Sequence, residues 1–311
     1  PIMEKMSARG IKIDQEARGI LEEILEDEVT YYRQLCEEID GFNPGSSQQV
    51  SHILAKHGAY RGFHRLPYTK GGRGKRLSSS REVLEAMDDP LAAVILNYRK
   101  QAALLSDYIR PWAGAGRAYT FYHLDAATGR PSSNNRNLQN IPQGEPRGIF
   151  IPDSIIWTDI DFSHVELRVL AYLSGDKEMQ YIFSLPAISR DGTRNEEADI
   201  HQQTANFLHI PRKISKNVNF AMIYGATDKT IMETAKIRNI VQAGRLKQIW
   251  FDRFPQAGDF IQQCQWEAQS GNTRVTTLYG REIRLPDIEE EGLDHLLSCS
   301  INYRIQASAA E

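Results

Sequence analysis

Apolar positions recur at three- and four-residue intervals through most of the chain, interrupted by a few short stretches where they alternate or run together. This pattern predicts a largely helical protein with short strands. Asp14 caps a helix running to about Cys36, with Glu16 in its first turn and Asp40-Gly41 closing it. A turn at 43–46 follows, and Ser46 or Ser47 starts a shorter helix that stops near Gly58. Ser79 and Glu82 form a capping box for a helix to about Met87. Asp89-Pro90 presents a cap and a first-turn proline to a long helix ending before Pro111. Residues 1–110 therefore read as one helical unit.

Past Pro111 the apolar runs shorten and turns multiply, including Thr128-Gly129-Arg130 and the polar stretch SSNNRNLQNIP. The run IIWTDIDF at 155–162 is β-branched and aromatic with alternation at its end, which predicts a strand carrying Asp159 and Asp161 on one face. HVELRVLAYL then returns to helical spacing, so Asp161 is expected at an exposed sheet end and Glu166 about one and a half turns further on. The charged segment at 184–199 reads as a surface excursion. Asp199-Ile200-His201 and Pro211 each open a helix, and further helices follow through 228–270. Gly271-Asn272 leads into a hairpin bent at Tyr279-Gly280, and a last helix starts at about Asp294.

The length of 311 residues and a hydrophobic content of 41% allow a large core and about two domains. A net charge of -3 does not mark a polyanion-binding protein as a whole, so basic surface has to be sought locally. Cys36, Cys264 and Cys299 are far apart and lack metal-ligand spacing, which fits a reduced cytosolic setting. No apolar run approaches a membrane span and no signal peptide is visible, so no membrane partner is expected. The chain starts at Pro1 and finishes in an Ala-rich run at Glu311, which reads as cut at both ends.

The stretch RKISKNVNFAMIYG at 212–225 carries the most chemistry. As a helix it places Arg212, Lys216, Phe220 and Tyr224 at four-residue spacing, each about 40° from the last, on one broad face. Two cations followed by two aromatics suit a phosphate chain and a flat base; the same pattern also describes an amphipathic core helix with snorkelling basic ends. At 61–76, Lys70, Arg73, Lys75 and Arg76 belong to a Gly-rich basic loop able to track phosphates, or simply to a solvated loop. Phosphoryl transfer further needs carboxylate-held metal, which Asp161 can begin to supply.

DFSHVELR at 161–168 and RKISKNVNFAMIYG at 212–225 resemble motifs A and B of the family-A DNA polymerases, the DNA polymerase I type. GRPSSNNRNLQNIP, DIHQQTA, LYGREIRLP and NYRIQASAAE support the resemblance in the same order, and it covers essentially the whole chain. It implies a mixed α/β (α+β) right-hand fold, with mostly helical thumb and fingers, an antiparallel-sheet palm and an incomplete C-terminus. Residues 1–110 would be the thumb and its lead-in, 111–175 the first part of the palm, 176–290 the fingers and 291–311 the second part of the palm.

The resemblance also implies roles. Asp161 matches the metal-binding aspartate, and Arg212 and Lys216, with His201 beside them, match the grip on the triphosphate. Phe220 matches the aromatic at the incoming sugar, Tyr224 the one at the template position, and Glu166 the steric gate against a ribose 2′-hydroxyl. His164 stands where glutamine is usual. Arg130, Asn137 and Gln306 match minor-groove and primer-terminus contacts; Gln139, Asn140 and Asn302 lie in the same segments and are carried with them. Arg168 reads as a structural ion pair. Glu166 with Phe220 favours deoxynucleotides over the single-subunit RNA polymerase alternative, and Phe220 in place of tyrosine implies discrimination against dideoxynucleotides.

The implied cofactor is Mg²⁺, two ions in the complete enzyme, with Mn²⁺ as a substitute. The implied partners are primer-template DNA, dNTPs, and a processivity factor or a missing C-terminal segment, in the cytoplasm of a bacterial cell or phage-infected host. Ser298, Ser308, Glu311 and the long 184–198 excursion depart from the bacterial pattern and point to a phage or environmental lineage. Motif C, with the second aspartate, is expected beyond Glu311, and a 3′–5′ exonuclease domain before Pro1. An alternative expectation is a primer-template and dNTP-binding half with no activity of its own.

Overall fold

The computed structural model describes residues 2–63, 66–69, 76–87, 89–189, 191–237 and 239–311. Contacts divide the chain into two compact units, Pro1–His123 with Ser133–Thr158, and Leu124–Ser132 with Asp159–Glu311.

The first unit contains α1 (Ile2–Arg9), α2 (Gln15–Asp40), α3 (Ser47–Lys56), α4 (Arg81–Glu85), α5 (Pro90–Ala103) and the single turn α6 (Glu145–Gly148). Asp14 caps α2 by accepting from the Glu16 and Ala17 amides, and Gly41 closes it in the left-handed conformation with φ 61°. The helix thus runs to Asp40, beyond the expected end at Cys36, because the signal that stops it is Gly41. Asp89 caps α5 as expected, and a π-helical turn at Leu104–Ile109 carries the chain on to Pro111. The capping box expected at Ser79 and Glu82 does not form, and the helix starts one residue later. Ser80 occupies the cap of α4, while the Ser79 hydroxyl donates to the Ser47 carbonyl and its carbonyl accepts from Arg99.

The strands β1 (Ile11–Ile13), β2 (Arg117–Ala118) and β5 (Phe150–Ile151) form an antiparallel sheet in the order β2-β1-β5, with Ile11 opposite Ala118 and Ile13 opposite Phe150. A two-stranded ribbon joins β3 (Phe121–His123) to β4 (Ser132–Asn134). One core gathers Cys36, Val50, Leu54, Leu84 and Ile95, and a second gathers Leu25, Ile109, Trp112 and Ile149. Of the basic loop, Lys70, Arg73 and Lys75 lie outside the described residues, and Arg76 is exposed.

The second unit contains α7 (Val165–Ser174), α8 (Lys177–Ser184), α9 (Ile200–Leu208), α10 (Arg212–Ile223), α11 (Asp228–Thr234), α12 (Ile240–Arg253), α13 (Pro255–Gln269), the short α14 (Ile288–Glu291) and α15 (Leu293–Ala310). Its core is built from Leu167, Leu170, Met179, Ile200, Val218, Met222, Trp250, Phe254, Ile261, Ile301 and Ile305. Asp176, fully buried, accepts from the Met179 amide at the start of α8 and from the Ala257 amide at the start of α13. One carboxylate therefore completes two helix N-termini. The expected hairpin forms from β6 (Arg274–Thr276) and β7 (Glu282–Arg284), in register Val275 to Ile283 and turning at Gly280.

The strand expected at 155–162 is absent: its backbone pairs with no strand among the described residues. Ile155, Ile160 and Phe162 are exposed at 101%, 86% and 80%. A β-rich composition describes side chains that fit a sheet, but a strand exists only when a neighbour takes its amides and carbonyls. Asp161 consequently sits on an exposed irregular segment and not at a sheet end. The architecture is mixed and mainly helical with small antiparallel sheets, as the sequence implied. Among the described residues, no helix is long and apolar enough to cross a membrane. The three cysteines are free and buried, and burial pushes the Cys36 and Cys264 thiols up to about 11.

Candidate active site

The face of α10 that packs inward carries Ser215, Val218, Asn219, Met222 and Ile223, all buried. Ser215 and Asn219 are the polar members of that stripe, and the Asn219 amide is bonded at both its oxygen and its nitrogen. Its carbonyl oxygen accepts from the Thr204 hydroxyl at 3.0 Å and from the Trp250 indole at 2.9 Å, while its nitrogen lies 2.9 Å from His201 Nδ1. Ser215 donates to the His201 carbonyl at 2.6 Å. These bonds join α9, α10 and α12 through side chains and set the rotation of α10 about its axis.

With that rotation fixed, the two cations lie at the surface, while Phe220 and Tyr224 pack on the edge of the core. Arg212 and Phe220 are part-exposed, Lys216 is exposed, and the Phe220 and Tyr224 rings lie 6.4 Å apart, tilted by 31°. Gly225 then turns the chain at φ 66°, where a Cβ would come within 2.5 Å of Ile301. A larger residue at that exit would be strained by the backbone and would have to displace the ends of the Ile301 and Gln265 side chains.

His201 is buried among these groups. Its ring meets His164 edge-on at 4.8 Å and Phe220 at 6.0 Å. Burial, reinforced by His164, Arg212 and Lys216 against the opposing pull of Asp199, lowers His201 to about 4. His164, itself in the left-handed conformation with φ 56°, is also lowered, mainly by burial. Both imidazoles are neutral at pH 7.

Asp199 organises the cationic end. Its Oδ1 accepts from the His201 and Gln202 amides at 3.0 and 3.3 Å, capping α9. Its Oδ2 takes Arg212 Nε at 2.8 Å and the Arg194 guanidinium at 2.6 Å. Burial alone would raise this carboxyl, but Arg212, the capping amide of Gln202 and Arg194 outweigh it and leave it below the usual carboxylate range. Arg212 is thus a positioned cation, held by a carboxylate that is itself 4% exposed.

Glu166 is buried on α7, with an ion pair to Arg130 and the Tyr224 hydroxyl donating to its second oxygen at 2.5 Å. Gln306 on α15 acts on the same tyrosine hydroxyl and eases its ionisation, which burial makes harder. Arg130, Glu166, Tyr224 and Gln306, four residues far apart in sequence, therefore form one network. Asn302, a turn before Gln306, keeps a buried side-chain oxygen without a partner among the described residues.

Asp161 is exposed and enters no hydrogen bond or ion pair among the described residues. An exposed hard-oxygen donor fits Mg²⁺, which takes one or two carboxylates and completes its shell with water and phosphate oxygens. Among the described residues no group of three or more His, Cys, Asp or Glu side chains gathers as a ready-made metal cage. Arg168 does not form the expected ion pair; it donates to the Ser163 and Phe183 carbonyls and lies over the Phe183 ring at 4.6 Å. Asn137, Gln139 and Asn140 belong to the first unit, where Asn137 accepts from the Gln139 amide and from the Ser133 hydroxyl.

Sequence reasoning gave Asn219 and Arg194 no role, and saw Asp199 only as a helix opener. Asn219 left a signal, a polar residue inside an apolar stripe. Arg194 left none, because its partner is set by the path of the excursion.

The model of DNA polymerase family A matches residues 15–311. The chain belongs to DNA polymerase family A. A thermostable DNA polymerase I of Thermus filiformis is 31% identical over 92% of this chain and 35% of its own length. The DNA polymerase I of Chloroflexus aurantiacus is 31% identical over 100% of this chain and 34% of its own. The chain spans about a third of the length of these curated relatives. Among solved structures, the POL domain of Pol1 from M. smegmatis, in complex with DNA primer-template and dNTP, matches 99% of this chain and 56% of that one. It does so with a TM-score of 0.77 at 22% identity, and shares the fold. The family match takes in α2 and every element of the second unit that carries the site.

Proposed function

We propose that this family-A chain carries the nucleotide-selecting and metal-binding residues of a template-directed DNA polymerase, which joins deoxynucleotides from dNTPs to a primer 3′-hydroxyl and releases pyrophosphate. The observation that carries the reading is α10, whose inner face is locked by Asn219 while Arg212, Lys216, Phe220 and Tyr224, each at least partly exposed, follow one another at four-residue spacing. Residues 1–110 serve as thumb, 111–175 and 291–311 as palm, and 176–290 as fingers, in the cytoplasm of a bacterial or phage-infected cell.

Lys216 and Arg212 hold the triphosphate, and their fixed charges oppose the negative charge that builds on the leaving pyrophosphate. Phe220 packs against the sugar. Glu166, immobilised by Arg130 and Tyr224, fills the space a 2′-hydroxyl would need. Arg130 and Gln306, with Asn302, face the minor groove at the primer terminus, where donors test pair shape without reading sequence. Asn137, Gln139 and Asn140 add contacts to the primer-template, and the loop with Arg76 tracks its phosphates. Asp161 holds divalent metal, Mg²⁺ or Mn²⁺, which when bound supplies Lewis-acid stabilisation of the attacking and leaving oxygens.

A ternary-complex assay tests this reading. Primer-template bound to the chain should dissociate more slowly when the dNTP complementary to the next template base is added with Mg²⁺, and not with the other three. Equal effects of all four dNTPs would refute it. A second reading, a binding half that performs no chemistry, draws on the lack of a gathered metal cage around Asp161 among the described residues. Primer extension under the same conditions separates the two.

A further inference from the structure

The excursion between α8 and α9 brings Arg194 to the same buried oxygen that holds Arg212. Neither the excursion nor the carboxylate needs it there. The excursion is already closed by its own backbone, with the Ser189 amide bonded to the Thr193 carbonyl, the Asn195 amide to the Ala187 carbonyl, and the Asn195 side chain to the Pro186 carbonyl. Asp199 is already satisfied by two amides on Oδ1 and by Arg212 on Oδ2. A second guanidinium on one carboxylate leaves surplus positive charge, and 60% of the Arg194 side chain is exposed. Arg168, Arg194 and Arg212 all act on the His164 ring, and Arg212 and Lys216 on the His201 ring; Asp199 is the carboxylate that acts on both. The neighbourhood is built for a multiply charged anion.

The order along the surface identifies which part of that anion Arg194 meets. From the aromatic end of α10 the sequence of groups is Tyr224, Phe220, Lys216, Arg212, and then, across the shared oxygen of Asp199, Arg194. We infer that Arg194 is a further positioning and specificity residue for the nucleotide, a cation supplied by the excursion to the terminal phosphate of the triphosphate. This rests on the proposed role of α10. Asp199 holds the two guanidiniums side by side, so that adjacent phosphates meet adjacent positive charges.

Equilibrium binding of dATP and dADP to the 311-residue chain tests the inference. Arg194→Ala should weaken dATP about tenfold, the size of one exposed charge-assisted contact, and leave dADP within about twofold. Arg194→Lys should retain most of the dATP affinity, because the charge persists. Equal weakening of both nucleotides together with a lower melting temperature would show a strut and overturn the inference, as would unchanged dATP binding. Lys216→Ala separates the two levels. Weakened dATP with Lys216→Ala but not with Arg194→Ala overturns the inference alone; no effect of Lys216→Ala overturns the reading of α10 as well.

Discussion

Helix α10 and the segment 159–163 lie in the same unit and carry complementary halves of one proposed reaction, yet they are held in opposite ways. The inner face of α10 is buried, and its two polar side chains there, Ser215 and Asn219, are both hydrogen-bonded. Around Asp161 the backbone is irregular, and Ile160 and Phe162 stand 86% and 80% exposed. A group that must discriminate between similar ligands gains from a rigid frame, because each misplaced ångström erodes the difference between right and wrong partner. A metal-binding carboxylate tolerates a looser frame, since water and substrate oxygens complete the shell.

Five substitutions probe that contrast. In the complete enzyme, Lys216→Ala should lower the rate of nucleotide incorporation by about 10²- to 10³-fold, the usual loss of one fixed charge at developing negative charge. Primer-template affinity, measured by anisotropy, should change by less than about twofold; an equal loss in both would remove Lys216 from the nucleotide. Asn219→Ala should cost about 2–4 kcal/mol in chemical denaturation, because it leaves His201, Thr204 and the Trp250 indole without their shared partner. An Asp161→Ala variant, by contrast, should unfold at the same denaturant concentration as the parent. If the two variants were equally destabilised, the contrast between a locked helix and a free segment would fail.

Glu166→Ala should raise ribonucleotide incorporation relative to deoxynucleotide by about 10- to 200-fold, the discrimination available from filling a small volume in a pocket. Unchanged selectivity would leave Glu166 as a brace for Arg130 and Tyr224 only. The smallest effect concerns pH. His201 has its native pKa lowered to about 4 from an ordinary 6.5, so between these values the unfolded chain binds a proton that the native one does not. Stability is full above pH 6.5, falls as pH drops through this window, and levels off below about 4, a loss of at most about 3 kcal/mol. His201→Gln should flatten that part of the stability profile relative to the parent.

Local signals in the sequence carried as far as local physics does. Asp14, Gly41, Asp89, Asp199 and Gly280 act on neighbouring amides or on their own backbone, and each marks an element boundary as expected. The outward face of α10 was legible because four-residue spacing is a property of the helix itself. The strand at 155–162 was misread because pairing depends on a neighbour that composition cannot supply, and Ser79 was misplaced because Ser47 and Arg99 draw it away from the cap. The links of Arg130 to Glu166, Arg194 to Asp199 and Gln306 to Tyr224 depend on chain path, which no single-sequence pattern encodes.

Asp176 binds the amides of Met179 and Ala257, two positions separated by nearly half of the second unit's sequence. Neither amide can reach solvent deuterium by fraying of its own helix end alone while the carboxylate keeps hold of it. The two sites should exchange through the same opening event and at closely similar rates, which makes one buried acid a clock hand shared by two distant helices.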